Sequence, residues 1–105
     1  MTYLKDTTLV DTITLHGWIA TLEVDDKGLH HAIVEVTYKE SSGATHFVNA
    51  CGGNAFSALH KLSDKLSTIA GVLMYTNPWE DKTNDKLHEL SLLLGNHASE
   101  ALHAA

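Results

Sequence analysis

The chain contains 105 residues, of which 44% are hydrophobic and 19% charged, and its formal net charge is −6. This length and balance are typical of a folded protein, so we expect one domain spanning 1–105 and not a disordered chain. All seven basic residues are lysines. Because nucleic-acid binders rely on a basic face and on the forked hydrogen bonding of arginine, the composition disfavours a nucleic-acid partner.

The sequence lacks the signs of export and of membrane insertion. Met1–Val10 does not have the charged and apolar regions of a secretory signal, and the longest apolar run, Ile69–Tyr75, is too short to cross a bilayer. Cys51 is the single cysteine, which excludes an internal disulfide and fits a reducing compartment. These features predict a cytoplasmic protein without a membrane partner.

The first part of the chain has the composition of β-structure. Met1–Asp6 carries no pattern and is expected to be a loose terminus, whereas Thr7–Val24 is rich in β-branched residues and alternates between apolar and polar positions. The alternation changes phase at His16-Gly17, and a glycine at such a point is typical of a β-bulge. We therefore favour one long bulged strand over two strands joined near Gly17.

Two further strands are predicted after it. Asp25–Gly28 has the residues of a hairpin turn, and Leu29–Lys39 alternates regularly. Ile33 interrupts the polar face of that strand, which indicates partial burial there. Glu40–Gly43 forms the next turn, and Ala44–Cys51 forms the third strand. The first half of the chain is thus predicted to be an antiparallel three-stranded meander.

Two helices are predicted in the second half, at about 54–70 and about 84–102. Asn54 is a suitable N-cap for the first helix. Residues 72–76 either form a fourth short strand or continue that helix, and their β-rich composition favours the strand. The predicted fold class is α+β, with the meander packed on one face by the two helices. The apolar stripe of the first helix consists of Phe56, Leu59, Leu62, Leu66, Ile69 and Leu73.

Cys51 is the first candidate for catalysis, because it precedes Gly52-Gly53 and a helix N-terminus, a setting that favours the thiolate form. A nucleophilic thiolate also needs a base, and the nearest histidine in sequence, His46, falls on the opposite face of the strand. Gly52-Gly53 lacks the lysine and hydroxyl of a phosphate-binding loop. We therefore assign no catalytic residue and predict that the protein is not an enzyme.

The eight histidines do not form a metal-ligand pattern. His30 and His31 alternate to opposite faces of their strand, and His60 with Asp64 is more simply a solvated polar pair on a helix. We therefore predict no metal and no cofactor. Protonation of all eight histidines would reverse the sign of the net charge, which makes a pH response conceivable.

Two surface features indicate binding to another protein. Acidic residues cluster at the first hairpin tip and around the connector before the second helix, where they suit a basic groove of a partner. The run Ile69–Tyr75 carries more apolar surface than a small domain buries, which favours a partner surface or a homodimer. The candidate interaction residues are Trp18, Glu23, Asp25, Asp26, Val72, Met74, Tyr75, Trp79, Glu80 and Asp81.

Three functions are compatible with these patterns. The leading one is a small acidic non-catalytic binding protein, in its specific form an inhibitor or immunity-type protein that occupies a basic site of another macromolecule. The alternative is a small ligand-binding or enzymatic domain with a pocket between sheet and helices that uses Cys51 or histidines. A nucleic-acid-binding module with Trp18 as a stacking platform on an exposed sheet face comes third.

Overall fold

A four-stranded antiparallel sheet, in the strand order β1-β2-β3-β4, is covered on one face by two long helices. The computed structural model describes residues 2–37, 45–72 and 84–103 in full, together with the backbone of 73–76 and 83. This architecture confirms the predicted α+β class. The elements are β1 (Thr8–Leu15), β2 (Trp18–Val24), β3 (His30–Thr37), β4 (Thr45–Gly52), α1 (Ala55–Thr76) and α2 (Thr83–His103).

Alternate residues of each strand face the helices and form the core. Ile13 of β1 lies opposite Ala20 of β2. Ala20 lies opposite Val34 of β3, which lies opposite Val48 of β4, so one apolar row crosses the whole sheet. α1 packs on β4, β3 and β2, and α2 packs along α1. The buried helix residues are Ala58, Leu59, Leu62, Leu66 and Ala70 of α1, and Leu87, Leu90, Leu94 and Ala98 of α2.

The favoured single bulged strand at Thr7–Val24 is wrong, because this region forms the hairpin of β1 and β2. Leu15 pairs with Trp18 across a two-residue turn. His16 and Gly17 in that turn both have positive φ, at 55° and 78°. Two positive φ values are what a tight two-residue hairpin turn requires, and glycine supplies one of them without strain. The change of phase at Gly17 therefore marks a reversal of the chain.

The favoured strand at 72–76 is also wrong, because α1 continues to Thr76. The sheet has its fourth strand because β1 and β2 are separate. The helix thus extends through a segment of high local β propensity. Ser63 of α1 and Ser91 of α2 join the helices reciprocally, since each hydroxyl donates to the other residue's carbonyl at 2.7 Å.

Residues 2–7 cross the outer face of the sheet, and we call this segment the N-terminal strap. The Tyr3 hydroxyl donates to the Ile19 carbonyl at 2.8 Å, and the Tyr3 ring contacts Phe47 edge-on with centroids 5.7 Å apart. Ile33, on this same outer face, is 3% exposed, so the predicted partial burial at Ile33 is confirmed. The expectation of a loose terminus is wrong for the described part of this segment.

Two lysines of α1 cover part of the free edge of β4. Lys61 donates to the Cys51 carbonyl at 3.2 Å, and Lys65 donates to the Asn49 carbonyl. A charged side chain on an exposed edge discourages pairing with another sheet. In the described ranges, no helix combines the length and the apolarity needed to cross a membrane.

Candidate interaction surface

A β-bulge in β1 turns the side chain of Asp11 toward the helices. Leu9 pairs with Glu23 and the next pair is Asp11 with Leu22, so Val10 is the extra residue. Glu23 lies on the outer face of the sheet and Leu22 on the helix-facing side. Leu9 and Asp11 therefore lie on opposite faces, although residues two apart in a regular strand share one. The bulge places a carboxylate at the edge of the apolar layer, under α2.

Two histidine–carboxylate pairs join α2 to the β1–β2 hairpin. His97 Nδ1 lies 3.4 Å from Asp11 Oδ2 at the bulge. His16 Nε2 contacts Glu89 Oε2 at the hairpin turn. Both histidine side chains are 30% exposed, so each pair contributes up to about 1 kcal/mol when its imidazole is protonated.

A groove of about 250 Å³ opens between the bulge and α2, and we call it the β1–α2 groove. Its floor is formed by Leu22 and Leu59, each 2% exposed, which belong to the core. Asp11 and Glu100 supply two carboxylates to the lining, and His97 lies between α2 and the bulge. The remaining lining is apolar and comes from Val10, Ala55 and Ala101.

Charge distinguishes this groove from two wider ones. Grooves of about 330 Å³ between α1 and α2, and about 350 Å³ beside β4, each have one carboxylate among their described lining residues, Asp85 and Asp64 respectively. Within the described residues, β1 and α2 together are net acidic, whereas α1 is net basic. The charged residues are Asp11, Asp85, Lys86, Glu89 and Glu100 on β1 and α2, and Lys61, Asp64 and Lys65 on α1.

Trp18 and Glu23, two of the predicted interaction residues, lie in the interior. Trp18 is 9% exposed and packs in the core on the helix-facing side of the sheet. It therefore cannot serve as a stacking platform on an exposed face, which removes the basis of the nucleic-acid hypothesis. Glu23 is fully buried on the other side of the sheet, beneath the N-terminal strap.

The Glu23 carboxylate holds the strap in place. It accepts hydrogen bonds from the backbone N–H groups of Tyr3 and Leu4, at 2.8 and 3.1 Å. The hydroxyls of Thr7 and Thr21 also donate to it. Burial by itself raises the pKa of Glu23, but these four hydrogen bonds, that of Thr21 first, outweigh burial and lower the pKa. Glu23 thus has a structural role.

The other acidic pair, Asp25 and Asp26, lies at the β2–β3 turn as predicted from the hairpin pattern. Asp25 accepts hydrogen bonds from the N–H groups of Lys27 and Leu29, at 2.9 and 3.0 Å. His31 Nε2 lies 3.0 Å from Asp25 Oδ2, and this hydrogen bond is the main reason that the pKa of Asp25 is lowered. Asp25 therefore shapes the turn, while Asp26 is exposed to solvent.

The apolar part of the predicted surface lies at the other end of the molecule. α1 begins beside the β2–β3 turn, and Val72, which is 56% exposed, is roughly 25 Å further along its axis. The acidic turn and Val72 therefore do not form one continuous surface. Met74 and Tyr75 lie in the last turns of α1, where the structure describes the backbone. The remaining predicted residues, Trp79, Glu80 and Asp81, lie outside the described residues.

Cys51 has a histidine neighbour that its sequence surroundings do not reveal. It is exposed on the outer face of β4, directly opposite His31 of β3. Because the Cys51 carbonyl points to Lys61 and away from β3, the two residues form a non-hydrogen-bonded pair, in which side chains approach most closely. His31 is in turn held by Asp25. Thiol, imidazole and carboxylate thus follow one another on this face.

The residues that line the β1–α2 groove were not among the sequence predictions. Asp11 and His97 are 86 positions apart, and neither belongs to a motif. One feature of the sequence pointed to Asp11, which is an acidic residue beside Val10 inside a run of β-branched residues. In the described part of the chain, no group of three or more His, Cys, Asp or Glu side chains is placed to hold a metal ion.

Comparison of the chain with protein-family models, with curated proteins and with solved structures finds no match. The chemistry of the β1–α2 groove is therefore the basis for assigning a function.

Proposed function

We propose that the protein is a small non-catalytic binding protein whose β1–α2 groove docks on a basic site of another macromolecule. The specific form that we favour is an inhibitor or immunity-type protein that occupies such a site. The observation that supports this function is the combination of an apolar floor with two carboxylates in one groove. Lysine and arginine side chains have the matching form, an apolar stem with a cationic head.

The groove can receive such a side chain without change in the core. Its stem would pack on Leu22 and Leu59, which already form a closed apolar floor. The cationic head would reach the carboxylates of Asp11 and Glu100 on opposite walls. The overall charge of −6 would also accelerate association with a basic partner at low ionic strength.

Affinity capture from host lysate with paired variants tests the proposal. We expect the wild-type protein to retain a basic partner and the Asp11→Asn/Glu100→Gln double variant to lose it. Asp64→Asn is the matched control, because it removes an exposed carboxylate from α1, which is net basic and lies outside the lining of this groove at that position. Equal recovery of the partner with the double variant, or recovery of no partner by the wild type, would contradict a docking role for this groove.

A homodimer remains a prediction, and two exposed apolar side chains support it, Phe47 on the outer face of β4 and Val72 in the last turns of α1. Phe47 is 62% exposed and Val72 is 56% exposed, and large apolar side chains at such exposure suit a protein contact. Size-exclusion chromatography with light scattering measures the oligomeric state directly. A dimer that dissociates in a Phe47→Ser variant would place the interface on the outer face of β4, whereas a monomer at millimolar concentration would exclude the homodimer.

The succession of the Cys51 thiol, the His31 imidazole and the Asp25 carboxylate favours a second candidate function, a small enzyme that uses Cys51. An imidazole held by a carboxylate can take the proton of a neighbouring thiol, which is the arrangement of cysteine nucleophiles. The reaction rate of Cys51 with a chromogenic disulfide measures this activation. We expect His31→Gln to slow the reaction about tenfold at neutral pH and His46→Gln to leave it unchanged. Equal reaction rates in the two variants would show that His31 does not activate Cys51, which would then be an ordinary surface thiol.

A further inference from the structure

We propose that the β1–α2 groove binds its cationic side chain in a pH-dependent manner, because protonated His97 competes with the ligand for the carboxylate of Asp11. This inference rests on the proposed docking function and adds a regulatory property to the same site. It assigns the partner a lysine or arginine side chain and predicts weaker binding in mildly acidic solution.

The competition follows from the position of the imidazole. His97 Nδ1 lies 3.4 Å from Asp11 Oδ2, close enough for an ion pair once the ring carries a proton. Neutral imidazole leaves the negative charge of Asp11 to the ligand. Protonated imidazole neutralises that charge and also places a positive charge in the path of the cationic head. Both effects oppose the binding of a second cation.

The other walls of the groove do not offset this change. α1 contributes Ala55 and Leu59, and β2 contributes Leu22, so these two elements present uncharged side chains to the groove. β1 contributes Asp11, and α2 contributes Glu100 besides His97 itself. His97 is the one histidine among the described lining residues, and histidine is the side-chain type that switches charge near neutral pH.

The second histidine pair of this flank has a different effect. His16 contacts Glu89 at the hairpin turn and does not line the groove. Protonation of His16 strengthens the attachment of α2 to the hairpin and leaves Asp11 untouched. The pH response of binding is therefore assigned to His97 alone.

Amide NMR titration of the 105-residue protein with the capped peptide acetyl-Gly-Arg-Gly-amide tests the inference. The peptide is added at pH 7.5 and at pH 5.5, and the glutamate peptide acetyl-Gly-Glu-Gly-amide serves as the negative probe. We expect shifts centred on Asp11 and Glu100, and an affinity about three- to tenfold lower at pH 5.5. The ratio of the two affinities should fall to about one in His97→Gln. His60→Gln removes a histidine that pairs with Asp64 on α1, and it should keep the wild-type ratio.

A second measurement needs no variant. Binding and protonation are linked reciprocally, so a saturating concentration of the arginine peptide must lower the pH at which His97 becomes protonated. The imidazole signals of the wild-type protein report this midpoint. A midpoint unchanged by the peptide, or an affinity ratio that persists in His97→Gln, would overturn the pH dependence but leave the docking groove intact. Absence of shifts at Asp11 and Glu100 at both pH values would overturn the groove and the pH dependence together.

Discussion

Replacement of Glu23 by glutamine tests whether the N-terminal strap is fastened by a charged acceptor. The Glu23 side chain is fully buried and accepts hydrogen bonds from two backbone N–H groups and two hydroxyls. Glutamine preserves the shape of the side chain. Its amide nitrogen, however, faces two of the four donors and cannot accept from them, so the variant isolates the effect of the second oxygen and of the charge.

The magnitude follows from the number of bonds that are lost. A hydrogen bond to a charged acceptor contributes about 1.5–3 kcal/mol, and two such bonds are lost in Glu23→Gln. Release of the strap lets its N–H groups reach water, which offsets part of the loss. We therefore expect the free energy of unfolding to fall by about 2–3 kcal/mol, with a decrease in melting temperature of roughly 10–20 °C.

Urea denaturation followed by tryptophan fluorescence measures this loss, since Trp18 is buried in the core and becomes exposed on unfolding. Glu100→Gln is the control, because it makes the same chemical change at an exposed position on α2. We expect the control to change stability by less than about 0.5 kcal/mol. Hydrogen exchange should also show faster exchange of the Tyr3 and Leu4 amides in Glu23→Gln than in wild type.

The pH dependence of stability provides an independent check that the Glu23 anchor acts in its charged form. The pKa of Glu23 is lowered in the folded protein. Its contribution to the free energy of unfolding is therefore complete above the ordinary glutamate pKa of about 4.3, and it is lost as the pH falls through the lowered pKa of the folded protein. The stability difference between wild type and Glu23→Gln should therefore be constant from pH 6 to 8 and narrow below about pH 4. Equal stability of the two proteins at pH 7, or a difference that widens in acid, would refute a charged anchor at this position.

Three further predictions concern the packing of the sheet and helices. Gly52→Ala should destabilise the protein by about 1–3 kcal/mol in urea denaturation, because a Cβ there would overlap the Ser57 side chain, and unchanged stability would show that the contact relaxes easily. Ser91→Ala should lower the free energy of unfolding by about 1 kcal/mol, because its hydrogen bond to the Ser63 carbonyl is lost. A higher melting temperature of the variant in thermal denaturation would contradict this. Lys65→Ala should increase self-association in light scattering by uncovering the edge of β4, and a wild-type profile would argue against edge protection.

Local sequence patterns were sufficient for the elements whose signals are short-range. Alternation placed the second and third predicted strands where β3 and β4 occur, and the position of Ile33 correctly indicated burial of the outer face. Asn54 caps α1 as predicted, since its side-chain oxygen accepts from the Ser57 N–H at 2.8 Å. These features depend on residues within a turn or two of each other, so periodicity and capping chemistry determine them.

The remaining features depend on partners that are distant in sequence. The phase change at His16-Gly17 favours a bulge until β1 is seen to pair with β2, and residues 72–76 continue α1 against their local β propensity. Glu23 looked like an exposed hairpin acid, but residues of the strap, some twenty positions earlier, cover it. Asp11 reaches the helices only because Val10 is bulged, and alternation cannot reveal the face of a residue beyond an unseen bulge. The sequence by itself thus determined the layers of this protein, whereas the tertiary structure decided which acidic side chains are buried and which ones line a groove.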